Sequence, residues 1–177
     1  MTAQLADPLW PFLAVLTATL DEVLDEFDAA TCRTFVAPGA SAVWDVCCPC
    51  ARDAEGQAWV AVQSYGPSDT FPNLSNAPLR CKPDQYVATV DVGVLRCAST
   101  VDDAGNAPSS DLLIEEARKV SRDRTLVQYA LLCRFAEEAD LYPGQIALGA
   151  WTPLGPQGGC VGGLTSVSIA AGGCRCS

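Results

Sequence analysis

Between Tyr86 and Ala98 the chain alternates: Tyr86, Ala88, Val90, Val92 and Val94 share one parity, and Thr89, Asp91 and Gly93 the other. A period of two sends these sets to opposite faces of a pleated strand. Such a strand needs paired neighbours and an apolar layer over one face, so the chain must build a covered sheet. The cover is legible too. Leu9, Phe12, Leu13, Leu16, Leu20, Val23, Leu24 and Phe27 recur at three- and four-residue spacing, which predicts an amphipathic helix reaching to about Ala30. Asp7 is its expected cap and Pro8 its expected first residue, since that position needs no N–H.

A second helix is expected from Pro108-Ser109-Ser110-Asp111, with Ser109 or Ser110 as cap, to near Ala139. Leu113, Ala117, Val120, Val127 and Leu131 share one of its faces, and Ser121-Arg122-Asp123 is the place where it would break. Ser41–Val46, Gln57–Tyr65, Ala147–Thr152 and Leu164–Ala170 complete the expected strands, with the glycine-rich run from Pro153 to Gly163 as a connection. Ser64–Asp84 holds Pro67, Pro72, Pro78 and Pro83, a density that blocks helix and central strand alike. A loop this long in a compact domain is usually functional. Its apolar residues Tyr65, Phe71 and Leu74 need a surface to sit on and are the interface candidates. The order of elements predicts an α+β fold: an antiparallel sheet of about four to five strands with two main helices packed on one face. Residues 1–177 read as a single domain: an N-terminal helix over 1–30, the proline-rich loop over 64–84 and a cysteine-containing tail over 171–177.

Composition removes whole classes of function. Apolar residues make up 49% of the 177, enough for a real core, and no apolar run is long enough for a membrane-crossing helix. The net charge is −10, with 11 bases against 21 acids, which argues against reading nucleic-acid bases. Histidine is absent, which removes His-based triads, Cys-His dyads and His-ligated zinc. The acidic pairs Asp21/Glu22, Asp25/Glu26, Glu115/Glu116 and Glu137/Glu138 fall on helix faces and read as solvated, not catalytic. Gly158-Gly159 and Gly162-Gly163 lack the Lys-Ser/Thr and the helix of a phosphate loop. Trp10, Trp44, Trp59 and Trp151 read as core or interface anchors. The chain is expected to be no enzyme and to carry no cofactor.

Ten cysteines are enriched, yet the first basic residue is Arg33, so no signal peptide is expected and synthesis is expected in a cytoplasm. Three readings stay open: disulfides in a mature particle, buried thiols, or a zinc site. Cys47 and Cys50, with Cys174 and Cys176, are weak candidates for four thiolate ligands, because the spacing lacks the regularity of zinc knuckles. For disulfides the candidates are Cys47, Cys48, Cys50 and Cys97. Antiparallel pairing of the strand after Gln57 with that from Tyr86 brings the 47–50 group to the end where Cys97 lies, and places Cys81 at the other end.

Several stretches together resemble a known family. They are Trp59-Val60, the Phe71-Pro72 loop ending at Cys81, Val92-Gly93-Val94-Leu95-Arg96-Cys97, Asp102-Asp103 before Pro108-Ser109, Ala130-Leu131, and Trp151-Thr152-Pro153-Leu154-Gly155-Pro156 leading to Gly158-Gly159-Cys160-Val161-Gly162-Gly163. The pattern, from about residue 40 to 170, resembles the tail terminator and head–tail connector proteins of long-tailed actinobacterial phages, and the abundance of Ala, Val and Arg suits a GC-rich genome. The resemblance implies a lambda-type terminator fold and a virion protein that forms a ring of six copies. Such a ring caps the major tail tube protein, meets a head completion or stopper protein, and lets double-stranded DNA pass through its lumen. A neighbouring stopper or adaptor is the alternative within that class, and a cysteine-based metal or redox module the alternative outside it. The proline-rich loop is then expected at a subunit contact. Acids, Asp102 and Asp103 among the candidates, are expected to outnumber bases along the lumen.

Overall fold

The computed structural model describes residues 7–39, 47, 54–75, 85–101, 104–141 and 144–171. The expected strand at Ser41–Val46 lies outside them, as do Trp44, Cys48, Cys50, Cys81, Asp102, Asp103, Cys174 and Cys176. The fold is α+β. Helix α1 (Trp10–Glu26) is followed by β1 (Thr34–Val36), β2 (Gln57–Pro67), β3 (Tyr86–Cys97), α2 (Ser110–Tyr129), β4 (Ile146–Gln157) and β5 (Cys160–Ala171). The five strands lie in the order β1-β2-β3-β5-β4.

The sheet is mostly antiparallel, as expected, with one parallel pair at its β1 edge. β1 pairs in parallel with β2, Thr34 opposite Ala58 and Val36 opposite Val60. Three residues carry no periodic signal, so this strand escaped the sequence reading. The other three ladders are antiparallel. β2 continues through Ser64 to Pro67, opposite Thr89 to Tyr86, with a bulge between Val62 and Ser64. The proline-rich loop therefore starts later than expected. Pro67 is tolerated because it ends the strand, where a ladder donor is dispensable.

The expected connection from Pro153 to Gly163 is largely strand: β4 and β5 form a long hairpin that turns at Gly158-Gly159, both with positive φ. Gly162 and Gly163 are strand residues for want of space. A Cβ on Gly162 would meet the Val94 carbonyl, and one on Gly163 the Trp151 ring. Glycine here marks close approach, not a turn.

Helix α1 begins later than expected. Asp7 Oδ1 accepts from the Leu9 N–H at 2.9 Å, but the first helical residue is Trp10. Pro11 explains the shift. A helix begun at Pro8 would put Pro11 where its N–H must make the first intrahelical bond, and proline has none. Starting at Trp10 leaves Pro11 in the first turn, where the donor is surplus. Helix α2 is capped by Ser109, whose hydroxyl accepts from the Leu112 N–H at 3.3 Å. It runs through Ser121-Arg122-Asp123 without a break, passes into a π-helical stretch at Ala130–Phe135, and ends with a last turn at Ala136–Glu138.

Leu13, Leu16, Leu20, Val23 and Leu24 of α1 join Leu126, Val127 and, from the π-helical stretch, Ala130, Leu131 and Phe135 in one buried cluster. The sheet contributes Ala58, Val60, Ala88, Val90, Val92, Val94, Val167 and Ile169 to it. These are alternate strand positions facing one another across the ladders. The opposite parity holds a smaller cluster of Ala37, Cys47, Trp59, Ala61, Leu95 and Cys160.

Candidate interface surfaces

Arg96, the next-to-last residue of β3, is 4% exposed, and Asp123 of α2 is 2% exposed. The Arg96 guanidinium donates to both Asp123 carboxylate oxygens, from Nε at 2.8 Å and Nη2 at 2.7 Å. Nη2 also donates to the Ala29 carbonyl at 2.7 Å, and Nη1 to those of Ala30 at 3.2 Å and Glu55 at 2.7 Å. Five contacts use the full donor fork of the side chain. They join β3, α2, the turn after α1 and the approach to β2. Neither residue was singled out for this role: Arg96 is one base at a strand end and Asp123 looked like a helix breaker. A polar pocket of about 230 Å³ beside the pair is lined by Asp28, Glu55, Lys119 and Arg122. Lys119 Nζ lies 2.6 Å from Glu55 Oε1, and Arg96 is fully engaged, so this pocket reads as the mouth of a strut.

That strut fixes the middle of α2 and leaves its first three turns overhanging. Glu116 Oε1 accepts from the Ser99 N–H at 2.7 Å, the tie that holds this overhang to the end of β3. The stripe read from the sequence divides at this point: Val127 and Leu131 are in the core, whereas Leu113 and Ala117 are exposed. Between the overhang and the β4–β5 hairpin runs a groove of about 470 Å³ lined by Leu113, Val120, Trp151, Leu154, Pro156 and Val161 among others. Leu112, Leu113 and Ile114 form a run of three half-exposed apolar residues. Surfaces of that kind mark interaction sites when contiguous.

A second surface lies along α1 at the other edge of the sheet. Trp10, Ala14, Thr17, Ala18 and Asp21 face Thr34 and Val36 of β1 around a shallow cavity of about 330 Å³. Trp10 is 55% exposed, the most open of the three tryptophans among the described residues. Trp59 is buried and Trp151 is half-buried against the core. The three loop candidates are exposed or half-buried. Tyr65 stacks on Tyr86 with centroids 5.2 Å apart, Leu74 is exposed beside Gly66, and Phe71 is half-buried.

Cys47 is disulfide-bonded to Cys160, with Cα atoms 5.5 Å apart. Cys160 stands opposite Cys97 in the β3–β5 ladder. Cys47 therefore comes to the end of the sheet where Cys97 lies, and its partner is the residue across the ladder, which sat unnoticed in the glycine-rich run. Cys32 and Cys97 each take part in a disulfide as well, and Cys133 is a free, exposed thiol. Of the four zinc candidates Cys47 is engaged in this bond, and Cys50, Cys174 and Cys176 lie outside the described residues. Among the described residues no three His, Cys, Asp or Glu side chains gather closely enough to hold a metal. No family model and no curated protein matches the chain.

Of the acidic pairs, Asp21/Glu22 and Asp25/Glu26 are exposed on α1. Glu26 lies 3.7 Å from Arg134. A hydrogen bond with Tyr129, then the Glu26 charge, hold the Arg134 guanidinium above its ordinary value. Glu138 Oε2 accepts from the buried Thr19 hydroxyl at 2.7 Å. These carboxylates serve local structure and solvation.

Proposed function

We propose that this chain is a structural virion protein of a long-tailed phage: a tail terminator that closes into a ring of roughly six copies, caps the tail tube and joins it to the neck of the head. One observation carries the reading. The chain presents two unlike apolar surfaces at opposite edges of its sheet, the α2–β4 groove and the Trp10 face of α1. A closed ring of identical subunits needs two different patches per copy, because head-to-tail contacts are heterologous. The residue pattern shared with terminators and connectors supports the same reading. Five strands weigh for a terminator over a mainly helical adaptor. In this reading the role is assembly, without catalysis or cofactor. The protein is made in the host cytoplasm and resides at the head–tail junction, in contact with the tube protein and a head completion protein.

The test is the mass of the assembled species by light scattering, followed by electron microscopy of the particle. A ring of about six copies with an open lumen is expected, and its addition to polymerising tube protein should stop growth. A chain that stays monomeric at all concentrations, or a ring that leaves tube growth unchanged, overturns the terminator reading. A ring that binds the portal side and ignores the tube identifies a stopper or adaptor.

A further inference from the structure

We infer that the α2–β4 groove of one copy receives the Trp10 face of α1 from the next copy, in a fixed register that sets Trp10 against Leu113 and Asp21 against Arg124. This rests on the ring reading in one respect: the occupant is a second copy of this chain. Three observations lead to it.

The first is charge. Helix α1 carries Asp21, Glu22, Asp25 and Glu26 and no base. Helix α2 carries Arg118, Lys119, Arg122 and Arg124, four of the 11 bases in the chain, beside the acids Asp111, Glu115, Glu116 and Asp123. Within one copy the buried strut and local pairs use Asp123, Lys119 and Arg118. Of the α2 bases only Arg124 lines the groove, together with Glu116, which is tied to the Ser99 N–H, and Arg124 has no carboxylate within salt-bridge distance among the described residues. A partner that covers the groove must therefore be apolar at its centre and bring an acid to Arg124, and the Trp10 face of α1 with Asp21 does both.

The second is spacing. Trp10 and Asp21 stand 11 positions apart and line one cavity. Leu113 and Arg124 also stand 11 positions apart and line the other. Eleven residues make three helical turns, so each pair lies on one side of its helix, about 16 Å apart at 1.5 Å per residue. An aromatic anchor with a charge three turns on thus meets an apolar wall with the opposite charge three turns on.

The third is placement. The two surfaces sit at opposite edges of a five-stranded sheet, with β1 beside one and β4 beside the other. One copy can give its α1 face to a neighbour and accept another neighbour's α1 at the same time. The groove of about 470 Å³ has room for an indole ring.

The experiment uses the full chain and reads mass by light scattering. Trp10→Glu and Leu113→Glu alter exposed side chains, so each variant should keep the far-ultraviolet circular dichroism of the parent. Each alone is expected to be monomeric where the parent forms rings. Mixed in equal amounts they are expected to form a dimer and nothing larger, because one intact face remains on each. Asp21→Arg and Arg124→Asp should each weaken assembly at least tenfold, and combining both in one chain should restore it. Variants that assemble like the parent overturn this pairing of surfaces and leave the ring standing. A monomeric parent overturns the ring and the pairing together. Monomeric single variants whose mixture stays monomeric, or a charge reversal that is not rescued, overturn the head-to-tail register.

Discussion

Arg96 shows how much one side chain decides. A buried ion pair adds little over apolar residues of the same shape, but removing one partner strands the other charge away from water. Arg96 also satisfies three main-chain carbonyls, so its loss has further consequences. Arg96→Met is expected to cost about 3–5 kcal/mol, and Asp123→Asn less than Arg96→Met, because the amide oxygen still accepts one guanidinium bond and the three carbonyl contacts of Arg96 remain. Urea unfolding followed by the fluorescence of buried Trp59 measures both. Equal costs would mean that the carbonyl contacts carry no weight. Ser109 gives a milder case at the same scale. Its hydroxyl caps the N-terminus of α2, and Ser109→Ala should lose about 1 kcal/mol.

Both helical segments stop in the same way. After α1 the Ala29 N–H donates to Leu24 O at 2.8 Å, around Asp28 at φ 50°. After the last helical turn the Leu141 N–H donates to Ala136 O at 2.9 Å, around Asp140 at φ 51°. These are closures in which a left-handed residue returns the chain to the last carbonyls, a position that usually holds glycine. Aspartate tolerates it at some steric cost. Asp140→Gly is therefore expected to raise stability by about 0.5–1 kcal/mol, after the entropy of the more flexible unfolded chain is set against it. The midpoint of thermal unfolding would rise, and a fall would show that the Asp140 side chain has a role the closure does not explain. At the β4–β5 hairpin the argument runs the other way. Gly162→Ala sets a methyl against the Val94 carbonyl, and overpacking of this kind costs about 1–3 kcal/mol.

Over the whole molecule, the Cys47–Cys160 bond spans 113 residues. In chain-entropy terms closing a loop of that size restricts the unfolded state by about 4–5 kcal/mol. Cys160→Ser is expected to lose stability of that order in oxidising buffer and little in the presence of dithiothreitol, as urea titrations in both conditions would show. Equal loss in both would assign the effect to packing around Cys160. Charge also acts at this scale. A net charge of −10 repels phosphate, which suits the proposed ring, through which duplex DNA would slide. The assembled protein is expected to leave duplex DNA unretarded in a gel at about 20 mM salt, where the screening length is roughly 20 Å. Firm retention there would point to a channel lined by the α2 arginines and to a protein that grips DNA.

The helices and long strands were legible because burial writes a period into the chain. The α1 stripe and the alternation of β3 name the core side of each element without any knowledge of its neighbours. What the sequence left open depends on distant partners. Whether Leu113 is covered depends on where Asp123 meets Arg96, since that strut sets how far α2 overhangs the sheet. Whether Gly162 and Gly163 form a turn or a strand depends on Val94 and Trp151 pressing against them. Three-residue β1 becomes a strand only because the open edge of β2 offers hydrogen bonds. Cys47 finds Cys160 through the pairing of β3 with β5. Local periodicity is a property of a segment, and the chain determined it alone. Coverage, close approach and cross-linking are properties of pairs far apart in sequence, and tertiary packing decided them.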